Sequence, residues 1–138
     1  MLLESIESEY SESDVLELRA LLFVTQGEYW QSQHKNLESN SFLTSALKDV
    51  RRAATIKPND HAIATLQARI LSNMAVNNNE LGKYDDARLQ LTESLKIIDS
   101  LLLVDPTSQR LIHDAGKAEC NLGQTIHRMN GLVEAKRH

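Results

Sequence analysis

Residues 74–87 read MAVNNNELGKYDDA, and residues 122–135, 48 positions on, read LGQTIHRMNGLVEA. Both stretches follow an asparagine (Asn73, Asn121) and close on an alanine (Ala87, Ala135). Between those points apolar falls on apolar, Met74 on Leu122 and Leu81 on Met129, while Asp86 falls on Glu134. The same offset extends outward without a gap: Leu43, Thr44, Leu47, Lys48 and Pro58 meet Leu91, Thr92, Leu95, Lys96 and Pro106. Ile56 meets Val104, Ile63 meets Leu111 and Arg69 meets Lys117. A fixed period of this size marks one supersecondary unit copied along the chain.

The unit is a helical hairpin. Pro58 and Pro106 cannot continue a helix interior and restrict the residue before them, so one helix ends at each. Asn59/Asp60 and Thr107/Ser108 then offer side-chain oxygens to the free N–H groups of the next helix. The spacing predicts helices from about His61 to Leu81 and from about Gln109 to Met129, stopped at Gly82 and at Asn130-Gly131, which tolerate a left-handed backbone. Ile63, Leu66, Ile70 and Met74, and again Leu111, Ala115, Ala118, Leu122, Ile126 and Met129, recur every three or four residues as a buried stripe. The returning helix reads Tyr84, Ala87, Leu91, Leu95, Ile98, Leu102. One hairpin cannot cover its own apolar face, so stacking on the next closes the core. We therefore expect an all-α superhelix of about three stacked hairpins, forming one domain over residues 1–138. It comprises an acidic leader (1–12), an irregular repeat (13–58), a repeat (59–106) and a partial repeat (107–138).

Composition agrees. The 138 residues include only two prolines, five glycines and six aromatics, and 41% are apolar. That is enough to build a core from long helices and too few breakers for an all-β fold. The single Cys120 excludes an internal disulfide framework and a cysteine-rich zinc module, and is expected as a buried structural thiol in a reducing, cytoplasmic setting. No stretch reaches the length of an apolar membrane span, and MLLESIESEY is acidic where a secretory leader would be basic. The formal charge of −4 argues against nucleic-acid binding, and it is uneven: residues 1–30 hold seven acids and one base.

At Leu122-Gly123, Gly82-Lys83-Tyr84, Ala87, Ala135 and the two prolines, the unit resembles the tetratricopeptide repeat. That family places Leu-Gly within the first helix, Gly-x-Tyr at the turn and a small Ala where the second helix crosses close. The resemblance covers residues 43–138, and the 48-residue period makes it an extended variant like those of multidomain bacterial signalling and regulatory proteins. Upstream, Ser13–Gln26 followed by Gly27-Glu28-Tyr29 looks like another first helix and turn. Ser32 stands where the small Ala belongs, and a long or interrupted helix covers 28–57 with Ser39 or Ser41 as a restart cap. Downstream, Leu132–His138 begins a further second helix.

Catalytic chemistry has no visible carrier. His34, His61, His113, His127 and His138 form no His-x3-His or Glu-x-x-His set, and there is no Walker loop, Gly-x-Gly-x-x-Gly or Gly-x-Ser-x-Gly. No metal, cofactor or enzymatic activity is expected. Tyr29 and Trp30 are expected in interhelix packing. A polar ladder does repeat: Arg69 and Asn73, then Lys117 and Asn121, are each four apart and stack under the 48-residue period, with Asn77 and Thr125 continuing the line. The resemblance implies that first helices line a concave groove in which such residues hold an extended peptide or its carboxylate. Asn73 and Lys117 match that clamp. Asn121 stands in place of its second base, and Glu17 and Leu21 in place of an earlier Lys and Asn, so a chaperone-tail receptor is not indicated. The function expected is non-catalytic binding of a protein or peptide partner. The alternatives are homodimerisation, through the terminal hairpins and Leu101-Leu102-Leu103, or a regulatory extension of a larger signalling enzyme or transcription regulator.

Overall fold

The computed structural model describes residues 11–137, so the acidic leader, apart from Ser11 and Glu12, lies outside the described residues. Among these it contains helices and turns alone: α1 (Glu12–Ser32), α2 (Asn36–Ile56), α3 (His61–Glu80), α4 (Tyr84–Val104) and α5 (Gln109–Arg137). Each helix packs on the next, and lighter contacts join α1 to α3 and α3 to α5. The result is two antiparallel hairpins and a single fifth helix, stacked with α1, α3 and α5 in one layer and α2 and α4 in the other.

The proline boundaries hold. α2 ends at Ile56 and α4 at Val104, each two residues before its proline. The next helices start on side-chain caps: Asp60 accepts from the Ile63 N–H at 3.0 Å and Ser108 from that of Leu111 at 3.3 Å. Gly82 closes the second hairpin at φ 77°.

Several expectations are corrected. α1 does not turn at Gly27-Glu28-Tyr29; it runs on to Ser32, and the turn is Gln33–Lys35, with His34 at φ 59°. Thus α2 and α4 share the same register, and His34 is the counterpart of Gly82. Neither Ser39 nor Ser41 caps a helix. Ser39 is fully buried inside α2 and donates its hydroxyl to the Gly27 carbonyl at 2.7 Å, so Ser39, not Ser32, is the small residue at the crossing. At the other end Asn130-Gly131 does not stop α5, because its helix continues to Arg137 and leaves Ala135 exposed on the same helix.

The core runs between the layers. Leu16, Ala20 and Val24 of α1 meet Leu43, Ala46, Leu47 and Val50 of α2, and Ile63, Leu66, Ile70 and Met74 of α3 close over them. Ala68, Ile98, Leu101, Leu111 and Ala115 continue it between α3, α4 and α5, and Ala75, Ala87, Leu91 and Ala118 complete it towards the second turn. Burying a side chain of Leu or Ile size contributes about 1.5–3 kcal/mol, so these layers dominate the stability. The stripe on α5 thins along its length: Leu111, Ala115 and Ala118 are buried, Leu122 and Met129 are half-buried and Ile126 is exposed. Cys120 is likewise exposed rather than buried. Trp30 is half-buried and stacks edge-on against an exposed Tyr29.

Three ion pairs tie the first hairpin, the exposed Arg52–Glu12 and Lys57–Asp14 and, with the most buried carboxylate, Arg19–Asp49. Arg19 on α1 gives two 2.7 Å hydrogen bonds to the nearly buried carboxylate of Asp49 on α2, and its guanidinium is held above its usual range by those bonds. The second hairpin has Gln67 and Ile97 at the equivalent places. Nothing in that pair of residues can make the same contact.

Candidate functional site

The layer of α1, α3 and α5 presents a groove of about 220 Å3 lined by Glu28, Arg69, Asn73, Arg110, Lys117 and Asn121, among others. Four of the six residues singled out in the sequence meet here. The 48-residue period brings Arg69/Asn73 of α3 and Lys117/Asn121 of α5 to one opening, as a ladder on successive copies of one helix requires. Glu28 of α1, Arg110 and Asp114 join them and carry no sequence signal of their own, because Glu28 and Arg110 reach the groove only through helix packing.

The polar groups are spent unequally. The Arg69 guanidinium donates to both carboxylate oxygens of Glu28, and the Asn73 amide donates to the same carboxylate at 3.0 Å. The α3 side of the groove is therefore already internally satisfied. On α5, the side chains of Arg110, Lys117 and Asn121 make no hydrogen bond or ion pair among the described residues. Lys117 and Arg110, seven residues apart on one face with Asp114 between them, leave two cationic donors pointing at the opening.

Asn77 and Thr125 are placed elsewhere. Both are fully buried and belong to a polar clasp in two parts, one joining α1, α2, α3 and α4 through Asn77 and Asn78, the other joining α3 to α5 through Asn79 and Thr125. Gln31 of α1 donates to the Asn73 carbonyl at 3.1 Å and to Asn77 Oδ1 at 2.9 Å. The Asn77 amide donates to Ser39 Oγ at 2.8 Å and to Asn40 Oδ1 at 2.9 Å. Asn40 donates to Asn78, and Asn78 donates to Gln90 of α4. The Thr125 hydroxyl lies 2.9 Å from Asn79 Oδ1 and 2.8 Å from the Asn121 carbonyl. No buried side-chain nitrogen or oxygen among the described residues lacks a partner. A fully satisfied network of this kind fixes register, since sliding any helix by one residue would strand several amides in the core. The run Asn77-Asn78-Asn79 was legible as polar; its burial was not.

Among the described residues no group of three or more His, Cys, Asp or Glu side chains could hold a metal ion, and no helix is long and apolar enough to cross a membrane. Comparison of the chain with family models, with curated proteins and with solved structures returns no match. The class the coordinates define is thus the architecture itself: an all-α array of packed helical hairpins.

Proposed function

We propose that this chain is a non-catalytic binding module, a tetratricopeptide-like array that holds an acidic extended peptide, or a peptide carboxylate, in the groove between α3 and α5. The observation that carries the reading is the excess of unpaired cations in one opening, Arg110 and Lys117 against the single unpaired acid Asp114, beside the free amide of Asn121. Cations supply charge-assisted bonds to a carboxylate, and an amide can pair with a peptide main chain. Glu28 of α1, its charge paired with Arg69 and its carboxylate hydrogen-bonded by Asn73, keeps its wall of the groove polar without a free negative charge to repel the ligand. A rigid stack needs no reordering on binding, which lowers the cost of association. The single thiol suits a reducing compartment, and a cytoplasmic location is part of this reading.

Fluorescence polarisation against a panel of extended peptides with free carboxyl termini tests it. An acidic subset should bind at low salt, and Arg110→Ala combined with Lys117→Ala should weaken that binding at least about tenfold, the worth of one charge-assisted bond. Far-ultraviolet circular dichroism should be unchanged, because both side chains lie at an open surface. Equal affinity for the variant, or no bound peptide in the panel, removes the groove from the account.

A further inference from the structure

Helices α1, α3 and α5 are copies of one helix at the 48-residue period, and two of them are covered by a returning helix. The covered stripe on α1 is Leu16, Ala20, Phe23 and Gly27, under α2; on α3 it is Ala64, Ala68 and Ala75, under α4, with Leu71 in the same register but packed in the core of α1, α2 and α3. The same positions on α5 are Ile112, Gly116, Glu119 and Gly123, and all four are exposed, as is Ile126 beyond them. Leu43 of α2 lies over Gly27, and Leu91 of α4 clusters with Ala75. Around Gly116 and Gly123 there is open space.

Beside this face, α4 and α5 form an apolar cleft of about 460 Å3 lined by Leu95, Leu103 and Leu122, with Lys96 and Asp99 at its edge. One repeat earlier, the counterpart of Asp99 is Arg51 on α2, which pairs with Glu93 of the next returning helix at 3.1 Å. At Asp99 the sign of the charge is reversed. Glu119 adds a second acid where the other two copies have Phe23 and Leu71. Neither acid forms an ion pair among the described residues.

We infer that the open face of α5, with the α4 edge beside it, seats an amphipathic helix of a partner chain, antiparallel to α5. This surface is separate from the peptide groove. The incoming helix carries apolar residues at the spacing of Ala87, Leu91, Ile98 and Leu101, the largest over Gly123, and a Lys or Arg where α4 has Glu93. The charge pattern selects a partner over a second copy. The chain's own returning helices offer Ser45 or Glu93 opposite Asp99, neither of them a base. Two α5 helices crossed antiparallel through Gly116 and Gly123 would set Glu119 against itself.

A synthetic peptide with the sequence of residues 84–104 and the change Glu93→Lys is the probe, with the unaltered peptide as its control, titrated against the full chain at low salt. The lysine peptide should bind at least tenfold tighter than the control. Asp99→Lys in the full chain should reverse that preference, and Gly123→Leu should abolish it. Three results overturn the assignment: no binding by either peptide, a preference that ignores the charge at position 99, or a concentration-dependent dimer in light scattering that Gly123→Leu dissolves. The last would give the face to a second copy.

Discussion

Gly27 and Gly123 stand at the same place in the repeat, 96 residues apart, and the tertiary structure gives them opposite meanings. At Gly27 the α2 helix presses in so closely that a Cβ would lie 2.8 Å from Leu43 Cγ and 3.3 Å from the Ser39 carbonyl oxygen. At Gly123 nothing comes within 4 Å of the same added atom. Glycine at a crossing buys close approach and costs helix propensity; at Gly27 both halves of that exchange are present, and at Gly123 only the cost is. A repeat motif read from sequence thus marks where a partner helix fits, not whether one is there.

Alanine substitution at the two glycines should therefore diverge in sign. Gly27→Ala is expected to destabilise the chain by about 2 kcal/mol, since overpacking a crossing costs about 1–3 kcal/mol and Leu43, fully buried, has nowhere to move. Urea titration of the two variants measures it, and a neutral Gly27→Ala would mean that the hairpin can open without penalty. The turns sharpen the contrast at smaller scale. Gly82→Ala places a Cβ on a left-handed residue and should cost about 1–2 kcal/mol in the same titration. Gly123→Ala should go the other way, gaining about 1 kcal/mol of helix propensity with no clash to offset it. His34→Gly should have the smallest effect, a gain of about 0.5 kcal/mol, because relief of the strained φ is partly offset by the greater freedom of the unfolded chain.

How far the fold was legible depends on which local signal was strong. Pro58 and Pro106 mark helix ends by covalent geometry, and Asp60 and Ser108 mark starts by hydrogen bonding, so the middle of the chain was readable to within a residue or two. The first turn was misread because its glycine signal, Gly27-Glu28-Tyr29, belongs to a helix crossing, while the real turn uses His34, a residue without turn chemistry. The end of α5 was misread for a related reason. Asn130-Gly131 permits a turn but does not force one, and the helix of α5 runs through both residues to Arg137. In the groove, Arg69, Asn73, Lys117 and Asn121 could be found by their period. Asn77 and Thr125 share that period and lie buried instead, because a face near 100° wide cannot be told from its edge by spacing alone.

The amino-acid sequence determined the all-helical class, the 48-residue period, the proline-bounded helix ends and the small Ala87 of the second hairpin, since each of these follows from backbone sterics and apolar spacing within a few neighbouring positions. The tertiary structure alone decided which polar groups are spent and which are free. Glu28 consumes Arg69 and Asn73, the clasp consumes Asn77 and Thr125, and Arg110 and Lys117 stay open. That partition depends on contacts between residues more than 35 positions apart, and no local propensity encodes the distance between two side chains on different helices.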